Sequence, residues 1–207
     1  MNTFTRINIA LLILIPVCLI AGHVNDGALD WKVNQISTYA AKAPHDNWIT
    51  AGMAFSVLAL LSMGTVAQNL IPNRWIGTCI SHMYGMSAGG LLLLTIFEEK
   101  VSGFKNLGNN GVASYKQGFH DGGLILFFIG TAIAIALTGC VLTYSEKGWR
   151  RWASSILLLF PIGAWFSREM ILNSGQVGLY QRAAFLCFWG ACCLLTILQK
   201  NQLSSNS

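Results

Sequence analysis

The stretch HDGGLILFFIGTAIAIALTGC, residues 120–140, runs from a titratable pair straight into an apolar segment that carries no charge. Continued to Tyr144, the run from Gly122 is long enough to cross a bilayer as a helix. A hydrocarbon core about 30 Å thick takes roughly 20 residues at about 1.5 Å rise each. Backbone polar groups find no water there, so a continuously apolar run of this length reads as a helix that satisfies its own N–H and C=O groups. A transmembrane barrel would instead need short strands of alternating polarity.

The remainder of the chain repeats the pattern. With 54% hydrophobic and 10% charged residues and a mean hydropathy of +0.53, there is too little polar material to clothe a water-soluble globule of 207 residues. Six segments are spaced and long enough to span: Phe4 to Ala21, Ile49 to Ala67, Trp75 to Phe97, Gly122 to Tyr144, Trp152 to Phe166 and Tyr180 to Leu198. The expectation is an all-α, polytopic membrane protein, a single six-transmembrane-helix bundle over residues 1–207. Pro16 and Pro161 interrupt the first and fifth segments. NIALLILIPVCLIAG reads as a retained helix rather than an export signal, because the residues before His23 make a weak cleavage site. The closing NQLSSNS reads as a frayed tail.

Charge sets the orientation. With the amino terminus inside, the inner side carries Arg6, Arg74, Lys147, Arg150, Arg151 and Lys200 against Glu146 alone, in much shorter loops than the outer side. KGWRR between the fourth and fifth segments is the strongest such signal, and predicts a multi-pass protein of the cell membrane (the inner membrane, where a cell has two) with both termini cytoplasmic. The same placement assigns the net charge of +5 to contact with anionic lipid, so membrane lipids are the expected partners. Nucleic acid is not among them, since an Arg pair in so short a loop cannot track a phosphate backbone.

Cys18, Cys79, Cys140, Cys187, Cys192 and Cys193 all fall in apolar runs and read as small packing residues. Gly85 and Gly89, four apart on one face of the third segment, are the candidate close-packing surface for a neighbouring helix, a partner protein or a second copy of the chain. Trp31, Trp48, Trp75, Trp149 and Trp152 sit at span ends, as interfacial rings do. Trp189 lies mid-span and needs a partner for its indole N–H.

His82, alone at its depth, has no companion for bis-histidine haem ligation and is expected to donate a hydrogen bond across the bundle. Elsewhere the ionisable residues gather at the outer edge: His23, Asp26, His45, Asp46, Glu98, Glu99, His120, Asp121, Arg168, Glu169 and Arg182. Such a rim is either the polar capping every span needs or the lining of a site. The candidate ligand-binding set is His120, Asp121, Glu169 and Arg182: His120 and Arg182 face one shared cavity, and Asp121 or Glu169 holds the Arg. His23, His120 and Glu98 are a candidate metal set, with Asp121 as a substitute for the last.

DWKVNQISTYA (30–40), HDGG (120–123) and GLYQRAAFLCFW (178–189) together resemble the six-span bacterial and archaeal membrane proteins grouped as the DUF998 family. The resemblance rests on Asp30 with Ile36, Ser37 and Tyr39, on His120, and on Gly178 with Arg182 and Trp189. Gln181 stands where an acidic residue is usual before the last-helix Arg. What the resemblance implies is the fold and a working outer rim, with no activity and no cofactor attached.

Three functions remain open. One is a non-enzymatic bundle binding a lipid headgroup or small ligand in an outer-face cavity. The second is a metal-dependent intramembrane hydrolase acting on lipid at the outer leaflet, with zinc activating a water. The third is a haem or quinone redox protein. No HExxH or GxSxG supports the second, and histidine depth disfavours the third. Asp and Glu are absent from every mid-span, which argues against a proton-coupled pump.

Overall fold

The computed structural model of the chain describes residues 3–24, 32, 36, 46–97, 111–174 and 176–205. The described residues are helical almost throughout: α1 (Thr3–Val24), α2 (Asp46–Leu70), α3 (Arg74–Ile96), α4 (Gly111–Ser145), α5 (Gly148–Ile156), α6 (Leu159–Ser174) and α7 (Val177–Ser205). Five of these helices, α1 to α4 and α7, are long and apolar enough to cross a membrane. The protein is thus an all-α, polytopic membrane protein.

The fifth expected segment, Trp152 to Phe166, is not one helix but α5 and α6, separated at Leu157 and Leu158. Pro161 contributes to the break. It has no N–H to offer the carbonyl of Leu157, and its ring crowds that carbonyl. The chain re-pairs in tighter bonds instead: Leu157 N to Ser154 O at 3.1 Å, Leu158 N to Ser155 O at 3.1 Å and Phe160 N to Leu157 O at 3.3 Å. Two other boundaries differ from the sequence reading. α4 begins at Gly111, well before the apolar run, and α7 continues to Ser205 through the residues read as a tail.

Consecutive helices pack side by side from α1 to α4, α5 lies against α4, and α6 packs along α7. α7 also touches α1 and α2, which closes the ring. In the interior Phe127 of α4 meets Phe185 and Phe188 of α7, with ring centroids 5.3 and 5.9 Å apart. The lipid side is marked by large exposed apolar residues, such as Ile13, Val17 and Ile20 along α1.

α3 and α4 approach each other closely at Gly90 and Gly123. A Cβ on Gly90 would lie 2.7 Å from the Gly123 carbonyl oxygen, and one on Gly123 would lie 2.7 Å from that of Gly90. Gly85 and Gly89 would meet nothing within 4 Å. They sit on the face of α3 turned away from the described bundle, with His82 and Met86. His82 accordingly does not bond across the bundle: its Nδ1 lies 2.8 Å from Thr78 O of its own helix. Tyr84, Ser87, Ala88 and Leu91 occupy the inward face instead.

Candidate functional site

Among the sequence candidates, Arg182 is the one the structure places in a defined setting. It lies in the second turn of α7, and its NH1 donates to the carbonyl of Gly178 at 2.7 Å. That carbonyl, four residues back in the first turn, is within reach of a guanidinium on the same face, which gives the Gly-x-x-x-Arg spacing a physical use. Arg182 Nε donates to His23 Nε2 at the end of α1, at 3.0 Å, and NH2 contacts the same nitrogen. His23 Nδ1 is directed at Leu19 O. A carbonyl only accepts, so Nδ1 carries the proton and Nε2 is left as the acceptor that Arg182 needs.

The pair stands at one end of a groove of about 480 Å³ between α1 and α7. One wall is Pro16, Leu19 and Ile20, and the other is Phe185, Leu186 and Trp189. Trp189 forms the far end together with Pro16. Its indole Nε1 donates to Leu12 O at 2.8 Å. That carbonyl is the one Pro16 leaves without an in-helix donor, because the missing N–H at position i is the partner of the carbonyl at i−4. The mid-span tryptophan and the mid-span proline therefore answer each other.

Two described residues that follow α1, Lys32 and Ile36, reach the same place. Leu179 N donates to Lys32 O at 3.0 Å, and Ile36 N donates to Gln181 Oε1 at 2.6 Å. Ile36, 2% exposed, adds its side chain to the groove. Gln181 thus anchors Ile36, a role that needs only an acceptor oxygen and no ionised group.

His120 is not among the residues lining this groove. It is buried on α4, with Nδ1 3.4 Å from the largely exposed Asp121 carboxylate. Its Nε2 has no hydrogen-bond partner among the described residues. The groove at Arg182 is shared with His23. Glu169 lies on α6, with its side chain outside the described residues, and Glu98, Asp26, Asp30 and His45 also lie outside them. Among the described residues no three His, Cys, Asp or Glu side chains are grouped to hold a metal. His23 itself directs one ring nitrogen at a carbonyl and the other at Arg182.

Sequence reasoning put His23 at the rim without pairing it to Arg182, and it assigned no role to the Pro16–Trp189 contact. The available signals were one polar residue at each end of helices 1 and 7, and a proline and an unpartnered tryptophan each in mid-span.

A family model described as "Protein of unknown function (DUF998)" matches residues 8–198. No curated protein and no solved structure matches the chain.

Proposed function

The chain belongs to the DUF998 family, and from that premise we propose that it is a non-enzymatic membrane protein that binds a polar headgroup or small anionic ligand at the His23–Arg182 end of its bundle. The observation that carries this reading is the Arg182 guanidinium, oriented by His23 and the Gly178 carbonyl, at the end of a groove whose walls are otherwise apolar. A guanidinium is a permanent cation with a planar fork of donors, suited to carboxylate or phosphate. Nothing else about the groove favours chemistry over binding, since its remaining lining residues are hydrocarbon, Trp and Pro.

The working end faces outside in this reading, and α5 with α6 serves as a sixth, broken crossing. Two pairs of contacts support it: Gly163 of α6 lies near Cys187 and Gly190 of α7 near Phe160, an antiparallel order. The basic loop KGWRR then lies inside with both termini. Cysteine labelling of Ser145→Cys, on a background without native thiols, checks the orientation: protection from an impermeant reagent in intact cells is expected, and ready labelling overturns it.

The binding reading is tested by thermal unfolding of the purified protein with decanoate or dodecyl phosphate as anionic probes and dodecyl maltoside as the neutral control. A ligand at about 100 times its Kd adds roughly 2.7 kcal/mol, which for a chain of this size raises Tm by roughly 5–10 °C. An anionic probe is expected to raise the Tm of the wild type and not that of Arg182→Gln, each measured against its own ligand-free value. Equal shifts in both, or none in either, would overturn the reading.

A further inference from the structure

The headgroup reading concerns one end of the groove, and the rest of the groove has its own shape. Arg182 and Trp189 are seven residues apart on α7, as are His23 and Pro16 on α1, so each wall is roughly 10 Å long by helical rise. The walls begin at a polar pair and end where the Trp189 indole meets the Leu12 carbonyl beside Pro16. Ile36 covers the groove near the polar end, held there by Gln181. The side remains open: Ile20 is 61% and Leu186 is 65% exposed, both among the apolar residues that face lipid.

We propose that this groove is a binding site for an anionic bilayer phospholipid, with its phosphate at Arg182 and one of its hydrocarbon chains lying between α1 and α7 against Trp189. The inference rests on the headgroup reading and adds the class of ligand. A volume of about 480 Å³ lies in the lower part of the roughly 300–1,000 Å³ range of small-molecule sites. That accommodates one chain segment and leaves a second chain in the surrounding bilayer. The lateral opening beside Ile20 and Leu186 admits a ligand that is already in the membrane.

Selectivity follows from the energetics of lipid as a solvent. A hydrocarbon chain gains little on moving from the bilayer into an apolar groove, since both surroundings are equally apolar. Discrimination must therefore come from the head: Arg182 forms charge-assisted hydrogen bonds with any phospholipid phosphate, and a head that also carries a cation is disfavoured beside the guanidinium. The site distinguishes lipids by head charge and is indifferent to chain length beyond the reach of Trp189.

The test uses the full chain in phosphatidylcholine nanodiscs doped with equal fractions of either chain-brominated phosphatidylglycerol or chain-brominated phosphatidylcholine. Bromine quenches a nearby indole, and the Trp189 contribution is read as the difference between the wild type and Trp189→Phe. Leu186→Trp provides a second reporter in the middle of the same wall, for use where Trp189→Phe does not fold. Brominated phosphatidylglycerol is expected to quench the groove reporter at about tenfold lower mole fraction than brominated phosphatidylcholine, because the choline cation of the latter is set against the Arg182 guanidinium. Arg182→Gln is expected to remove the preference. Equal quenching by the two lipids, absence of quenching by either, or stronger quenching by a brominated free fatty acid would each overturn the proposal. If anionic probes still raise Tm in an Arg182-dependent way under any of those outcomes, the headgroup reading stands and the phospholipid assignment alone falls.

Discussion

Pro16 and Pro161 occupy comparable positions, each inside an apolar run that reads as a span, yet α1 continues through Pro16 from Thr3 to Val24 while the chain breaks before Pro161 into α5 and α6. Both prolines free the carbonyl four residues earlier. At Pro16 a neighbour adds a donor, the Trp189 indole, and the helix is left whole. At Pro161 the chain repairs itself by shifting to tighter bonds, and the neighbours give way. A Cβ on Gly139 of α4 would lie 3.0 Å from Leu157 Cβ and 3.0 Å from Leu158 Cδ2, and one on Gly190 of α7 would lie 2.7 Å from the Phe160 ring. A proline in a membrane helix is thus tolerated in two ways: another helix replaces the lost bond, or other helices make room for the resulting elbow.

The contrast can be broken most severely at Gly139. Gly139→Leu places a branched side chain where Leu157 and Leu158 turn, next to the Ser154 carbonyl 3.2 Å from its Cβ position. Overpacking of this kind costs about 1–3 kcal/mol, and the upper end is expected because backbone as well as side chain obstructs it. Reversible unfolding in mixed micelles measures the loss. A variant within experimental error of the wild type would show that the elbow moves freely.

A smaller effect is expected at the other proline, and a double-mutant cycle isolates it. Trp189→Phe keeps the ring and removes the N–H, leaving Leu12 O unpaired, at a cost of about 0.6–1.7 kcal/mol, the range for intramembrane hydrogen bonds. In a Pro16→Ala background the alanine N–H serves the same carbonyl, so Trp189→Phe is expected to cost much less there. Additive losses would mean that the indole stabilises the protein through its packing alone.

The smallest change is predicted for Pro161→Ala. It restores a donor for Leu157 O, but Gly139 and Gly190 have already shaped the surroundings for a break. Stability should move by less than about 0.5 kcal/mol, as for substitutions that touch no buried interaction. Hydrogen exchange at Leu157 to Phe160 reports whether the elbow persists; strong new protection with a large gain in stability would show that Pro161 alone imposes it.

The division between what was legible and what was not follows these residues. Apolar runs declare themselves through composition, so the existence of the long helices was read directly, while α4 began earlier and α7 ended later than expected. Residues such as Lys116, Gln117, Gln199 and Gln202 favour helix without being apolar, and hydropathy does not see them. Arg182, Gly178, Ile36 and Trp189 were singled out as motif positions; Arg182, Ile36 and Trp189 line one groove, and Gly178 O accepts from Arg182. Their partners were not all legible: nothing in a single sequence says that α7 lies beside α1, so His23 was not foreseen as a partner of Arg182. The Gly85–Gly89 spacing was readable, but spacing cannot tell which face of α3 is turned inward. Gly90, one residue further on, makes the contact with α4.

The connection between α2 and α3 is only Ile71, Pro72 and Asn73, with the Asn73 side chain accepting from Trp75 N at 3.0 Å and Ile76 N at 3.2 Å. Even fully extended, such a link reaches at most roughly 15 Å, half of the roughly 30 Å that separates the two faces of a hydrocarbon core. During biogenesis the end of α2 and the start of α3 can never lie on opposite sides of the bilayer. The two helices enter as a hairpin, so a change of charge at Arg74 acts on the orientation of both at once and on neither alone.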